Sequence, residues 1–417
     1  MTQNYFDEKD RKLHDLMEEI RLLPDRMPDA VVSPDTLTRE VHYPTSEYRF
    51  LHEAAVISFK GVLYTSWYNC HTTELRGRTP IRGRRSSDGG RTWSDVEVIA
   101  DDNTAAILWC PPVYGIYDDR LWMFMNEMTS ADHIHALDLF VLDEETGKFT
   151  PVWSLPVPFK LNTNVVTLSD GRLMLPGRVT DHIDGFPDIP AVMISDSGRI
   201  DAEWRLVKLQ ENNLLPDGTR LIHPEISPIV RGNEILMFCR DDDRNVPLVY
   251  VSHDSGESWS GPYAADIPFS SSKIHSGTLS DGRDYVIGNE FPGRERLFML
   301  LTEPGGGKFT KRLILRNGFD EKFGYGKMWH YPSAAEADGN LYVIYSADAE
   351  NRARRRHVGD PAQQNMIQKG KLYVQLQNRN LRQRMEELRI GIRAYKRTRA
   401  RGVPRRRRRS AVGYVSA

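Results

Sequence analysis

The chain has 417 residues, 40% of them hydrophobic and 10% aromatic, which is enough for a large β-rich core. Its 56 basic residues balance 57 acidic ones, and no apolar run reaches the length of a membrane span, which argues against a membrane protein. The balance hides a division: residues 351–417 hold 20 Lys and Arg against three acidic residues, so a segment of net charge +17 follows one of −18.

Residues 1–45 read as a lead-in. A polar, amphipathic pattern predicts a helix over about Asp7 to Leu23, ended by Pro24. No basic-then-apolar leader opens the chain, so a cytoplasmic location is expected.

From residue 58 to 346 one short pattern, a turn followed by an apolar strand, occurs six times. Lys60-Gly61-Val62-Leu63-Tyr64 is the first copy and Asp338-Gly339-Asn340-Leu341-Tyr342 the last. The repeat position falls at 63, 121, 173, 235, 284 and 341, a spacing near fifty residues. Strand–turn–strand content at that period predicts propeller blades. The expected fold is therefore all-β: a six-bladed β-propeller of four-stranded antiparallel blades over residues 46–350, with a short N-terminal helix and a basic C-terminal tail. A second repeat is interleaved with the first. Ser86-Ser87-Asp88-Gly89-Gly90-Arg91-Thr92-Trp93 recurs as Ser252-His253-Asp254-Ser255-Gly256-Glu257-Ser258-Trp259, and Ser195-Asp196-Ser197-Gly198 is a worn copy. Asp accepts from the amides of its own turn and Gly supplies positive φ, so these are structural turns on the rim. Cys70, Cys110 and Cys239 lack metal or redox spacing and read as buried free thiols.

The inner strand of each blade lines the central funnel. Counting back about ten residues from the repeat position gives His52, Cys110 and Pro111, Asn162 to Asn164, Glu225, His275 and Tyr331. A ring of His, Asn, Glu, His and Tyr is not core composition, and it predicts a polar site at the axis. No metal-ligand cluster, phosphate loop or nucleophile elbow occurs in residues 1–350. No cofactor or metal is expected, and phosphoryl transfer and serine-hydrolase chemistry are disfavoured.

The turn S-x-D-x-G-x-T-W is the Asp-box, and with the blade repeat it resembles the sialidase (neuraminidase) superfamily over roughly residues 45–350. His223-Pro224-Glu225 through Arg240 resembles that family's Glu segment, and Trp329-His330-Tyr331-Pro332-Ser333 the segment with its Tyr nucleophile. The resemblance implies that Glu225 activates Tyr331. A neutral phenol suits a sugar whose anomeric carbon carries a carboxylate, because an anionic nucleophile would be repelled. The structural alternative is a buried ion pair at Glu225 and a packed aromatic at Tyr331. The family clamps the substrate carboxylate with three arginines. Arg240 matches the second, and Arg294 the third, with Arg296 as rival. At the first position stands His52, with Arg49 three residues earlier. The general-acid Asp before the first Asp-box is missing; Glu53, His71 and Glu74 are the nearby replacements. Arg82 and Arg84 alternate along a strand that could add positive charge to the funnel. Asn164 and His275 complete the expected substrate contacts.

The resemblance implies an exo-glycoside hydrolase of sialidase type, with a sugar acid as partner. A propeller hydrolase or polysaccharide lyase on uronate-containing glycans, using His52 and Tyr331, is the second reading, favoured by the His and the missing Asp. A non-catalytic glycan-binding propeller is the third. The tail, 351–417, carries a helical stretch over about Gln375 to Tyr395 and the run Arg405 to Arg409. It reads as a solvated tail, an arm for nucleic acid or another anionic surface, or the product of a frame change near residue 352. It has no apolar periodicity to dock, so truncation near residue 350 should leave the propeller folded.

Overall fold

The computed structural model describes residues 6–32, 36–131, 133–180, 188–290, 293–318, 328–348 and 370–378. The chain divides into units 1–377 and 378–417. Beyond residue 378, and thus over Arg405 to Arg409, the tail lies outside the described residues.

The first sheet runs Phe50–Phe59, Val62–Cys70, Ile81–Ser86, Glu97–Ala100, and the second Leu108–Tyr117, Arg120–Ser130, His133–Asp143, Lys148–Leu155. In the third, Phe159–Leu161 and Val166–Thr167 both pair with Leu173–Val179, followed by Ile189–Ser195 and Arg205–Lys208. The fourth is built from Ile226–Arg231, Glu234–Cys239, Leu248–Ser252 and Ser260–Ala265, and the fifth from His275–Thr278, Asp284–Asn289, Arg296–Glu303 and Gly306–Asn317. Neighbours within these five sheets are antiparallel and joined in sequence order, as meandering blades require.

The six-blade expectation for residues 46–346 needs correction, because only five blades are complete within that stretch. The last repeat supplies two strands, Trp329–Ala337 and Asn340–Asp348; their sheet continues with Gly370–Asn378 and ends on Thr36–His42 from the N-terminal side. Leu372 to Gln377 register against His42 to Thr36. The tail therefore contributes a strand, and residues 375–378 of the expected helix are extended; the rest of that stretch is outside the described residues.

The N-terminal expectation also changes. The helix spans only Glu8–His14, closed by a capping box between Asp7 and Asp10. Beyond it the chain is used as edge strand: Glu19–Ile20 adds parallel to Ser260–Ala265, and Ala30–Val32 adds parallel to Gly306–Asn317. Asp266 accepts from the amides of Leu22 and Leu23. Unpaired sheet edges offer the backbone more than further helical turns would, and the edges are covered in return.

The core lies between neighbouring sheets. Leu137, Leu139 and Phe159 pack the second sheet on the third, and Phe238, Phe269 and Phe298 pack the fourth on the fifth. Val41, Ile344 and Tyr342 pack on Leu51, Val56 and Trp67, which joins the last sheet to the first. The rim turns behave as expected. Asp88 accepts from Thr92 N at 2.9 Å and Thr92 Oγ1 at 2.6 Å, while Gly90 at φ +77° donates to Ser86 Oγ. Asp254 repeats these bonds with Ser258, and Gly256 with Ser252. All three cysteines are buried and free. Among the described residues no helix is long and apolar enough to cross a membrane.

Candidate functional site

The first strands of the sheets face one another around the axis. Register shifts interrupt these strands between His52 and Ala55, Trp109 and Pro112, and His330 and Ser333. Such bulges re-aim side chains. Glu53, His223 and Tyr331 sit at φ +46°, +46° and +51°, a left-handed conformation that costs a non-glycine residue about 1–2 kcal/mol. All three line one cavity of about 470 Å³. Its walls also carry His52, Glu74, Lys160, Arg178, Asp188, Glu225, Arg240, Asp242 and Arg294.

Arg240 is the hub. Its Nη1 donates to Glu225 Oε2 at 2.5 Å and to Tyr331 Oη at 2.7 Å, and its Nη2 donates to Asp242. Glu225 and Tyr331 are thus brought together as expected, but bridged by Arg240 rather than bonded to each other. Lys273 Nζ lies 3.4 Å from Glu53 and 3.9 Å from Glu225. Arg294 donates to Ser271 O at 3.1 Å and sits 3.2 Å from His330 Nδ1. The cationic groups of Arg240, Lys273 and Arg294 stand 5.6, 5.4 and 5.8 Å from the Tyr331 ring centre. Cations at that range are attracted to the ring face. The His52 ring lies 4.2 Å from the Tyr331 ring, and its Nδ1 is 3.1 Å from Ser346 Oγ.

Burial acts to raise the Glu225 carboxyl, but Arg240, Lys273 and Arg178 together hold it below its ordinary value. Burial pushes the Tyr331 phenol well up, against the pull of Arg240. His52 is driven far down, by burial first and then by His330, Arg294, Lys273 and Arg240. Glu74 is raised by burial, opposed by the hydrogen bond from Tyr68 Oη at 2.8 Å. The cavity at neutral pH therefore holds an ionised Glu225, a neutral phenol and a neutral imidazole.

Several expected residues lie elsewhere. Arg49 is exposed and off the cavity, with its amide bonded to His71 O. Arg296 is paired with Glu290 at 3.0 Å and does not line the cavity that Arg294 lines. Asn164 ties sheets together, accepting from Tyr114 N and donating to Val56 O. His275 lies beside a separate small cavity with Asn164 and Lys273, 3.3 Å from Tyr285 Oη. Arg82 bonds Asn69 and Arg84 bonds Val41 O, and neither lines the cavity; His71 packs at a tilt against Tyr48 outside it. Lys160, Arg178, Asp188, His223, Asp242 and Lys273 were not anticipated. His223 and Lys273 stand two residues before Glu225 and His275 but outside the strands Ile226–Arg231 and His275–Thr278, so strand alternation gives no signal for them. Among the described residues no cluster of His, Cys, Asp and Glu could hold a metal ion.

The BNR repeat-like domain model matches residues 61–343. Among solved structures, a protein of unknown function from Dyadobacter fermentans superposes with a TM-score of 0.60 at 12% identity, over 82% of this chain and 99% of that one. Trypanosoma rangeli sialidase gives 0.61 at 13% identity, over 88% of this chain and 62% of that one, so the match leaves more than a third of that enzyme uncovered. The leech intramolecular trans-sialidase, complexed with 2,7-anhydro-Neu5Ac, gives 0.58 at 11% identity over 82% and 70%. No curated protein matches the sequence. At such identities the likeness is one of fold. The match over two thirds of the chain places the protein in the BNR repeat-like domain family, as a divergent member whose structural neighbours include sialidases.

Proposed function

We propose that the chain is a sialidase-like exo-glycoside hydrolase acting on a carboxylate-bearing sugar. The observation that supports it is the single guanidinium of Arg240 joining Tyr331 and Glu225 in one cavity with Arg294. Arg240 and Arg294 take the substrate carboxylate. As that carboxylate claims Arg240, Glu225 is freed to accept the phenolic proton, and Tyr331 Oη attacks the anomeric carbon. The bond to the leaving oxygen breaks, and the leaving oxygen takes a proton from Glu74, a carboxyl raised by burial. Water, deprotonated by Glu74, then cleaves the tyrosyl glycoside, the proton returns from Glu225 to Tyr331, and configuration is retained. Cations around the ring stabilise the developing phenolate. The test is turnover of an aryl sialoside. None with wild type, across the working pH range, would sink this reading.

The closeness of the neutral His52 ring to Tyr331 favours a second reading. In it His52 and Tyr331 act as base and acid on a uronate glycan, by hydrolysis or elimination. New ultraviolet absorbance from an unsaturated uronate would identify the lyase. Binding of sialosides and uronides without turnover would mark a glycan-binding propeller. The cytoplasmic location and the basic tail's affinity for anionic surfaces stand as proposals of the same kind.

A further inference from the structure

We infer that Lys160 is a second anion-binding pole of the cavity, so that the sugar acid held there carries a second anionic group. The inference rests on reading the cavity as a sugar-acid site. Lys160 is 9% exposed and lines the cavity, and among the described residues its ammonium has no hydrogen-bond or ion-pair partner. The other cations of the wall are engaged. Arg178 lies 3.0 Å from Asp188, although its Nε–H is not aligned on the oxygen. Arg240 serves Glu225 and Asp242, and Lys273, which lines the neighbouring small cavity, serves Glu53. Arg294 bonds a backbone oxygen and a histidine, not a carboxylate. Two cations thus face the cavity without an acidic partner: Arg294, following the second strand of the fifth sheet, and Lys160, on the first strand of the third. One carboxylate accounts for the first. Nothing in a mono-acid accounts for the second.

The backbone holds Lys160 in place at some expense. Lys160 registers directly opposite Arg178 across the sheet, a like-charge pairing that destabilises. Asn126 clamps the strand on both sides of it, donating to Phe159 O at 2.7 Å and accepting from Leu161 N at 2.8 Å. Gly177 gives the strand room, since a Cβ there would stand 2.3 Å from Lys160 O. An ammonium on a largely buried side chain, open to the cavity and without a bonded partner, is stabilised by an incoming anion. Glu74 feels the Lys160 charge but makes no direct ion pair with it and accepts from Tyr68 Oη instead. The second group is therefore a sulfate or phosphate on the sugar, held by charge-assisted bonds.

Calorimetric titration of the full chain tests this with sialic acid and its positional sulfate and phosphate monoesters at fixed ionic strength. Wild type should bind at least one ester about tenfold or more tightly than sialic acid itself, as a charge-assisted bond implies. In Lys160→Met that preference should fall to about one, and Lys160→Arg should keep it. The sulfate and phosphate arms show which group is read. Equal wild-type affinity for all esters and the parent acid would overturn the inference and leave the sugar-acid reading standing. So would a preference that survives in Lys160→Met. If none of the acids binds, the sugar-acid reading fails and takes this inference with it. The wild-type comparison stands even if a variant folds poorly.

Discussion

Glu225→Gln separates a structural from a chemical role at the hub of the cavity. The carboxylate is 3% exposed, accepts from Arg240 Nη1 at 2.5 Å, and lies 3.9 Å from Lys273. Glutamine keeps the shape and removes the charge. Deleting one partner of a buried ion pair costs about 3–5 kcal/mol when the other is left alone. Here Asp242 still holds Arg240 and Glu53 still holds Lys273, so the lower end, about 3 kcal/mol, is expected. Urea unfolding of both proteins at pH 7 measures it. The sign of its pH dependence follows from the depressed carboxyl. The Glu225 contribution is complete above the ordinary value of 4.5 and is lost as pH falls through the lower folded value, so the gap between the proteins should close in acid. A variant as stable as wild type at pH 7, or a gap that widens below pH 4.5, would refute the charge argument. Turnover should vanish in either case if Glu225 takes the phenolic proton.

Tyr331→Phe removes the oxygen that accepts from Arg240 but leaves that guanidinium on Glu225 and Asp242. A stability loss of about 1 kcal/mol in urea melts should accompany a loss of turnover of about a thousandfold or more; full activity would transfer the chemistry to His52. His275 is held down to about 4 by burial and then by Lys273, so its neutral form stabilises the fold fully above 6.5 and that stability drains as pH falls toward 4. It accounts for up to about 3 kcal/mol, and His275→Gln should flatten the stability profile across that window by about that amount, while the shares of His42 and His52, both also lowered by burial, remain. Truncation after Asp348 deletes the strand Gly370–Asn378 and strips the paired edge from Thr36–His42, so calorimetry should show a clear fall in melting temperature; an unchanged melt would mean that this pairing contributes nothing.

The repeat made the fold legible because each blade spends its local signals in the same order: an apolar strand, a turn with Gly, an apolar strand. That logic failed at both ends. The last sheet borrows strands from residues 36–42 and 370–378, which carry no copy of the pattern. The N-terminal segment followed helical periodicity only to His14, because the vacant edge of the fourth sheet competes for its backbone. Site residues with their own place in the repeat, His52, Glu225 and Tyr331, could be found by counting. Lys160, Arg178 and Asp242 could not, since what matters for them is which charges meet across strands and between sheets.

The same distinction bears on how a carboxylate could be held here without a third arginine. His52 stands where the resemblance implies a guanidinium, and burial among Arg294, Lys273 and Arg240 keeps it neutral. A third permanent charge beside those groups would add repulsion that only ligand could relieve. Arg240 spends much of its charge on Glu225 and Asp242, which leaves Arg294 as the cation most open to a carboxylate. Lys160 then stands out, because it has no bonded partner among the described residues and sits on a strand locked by Asn126. A site that lowers positive charge at one end and keeps it unspent at the other is suited to an acid with two anionic groups.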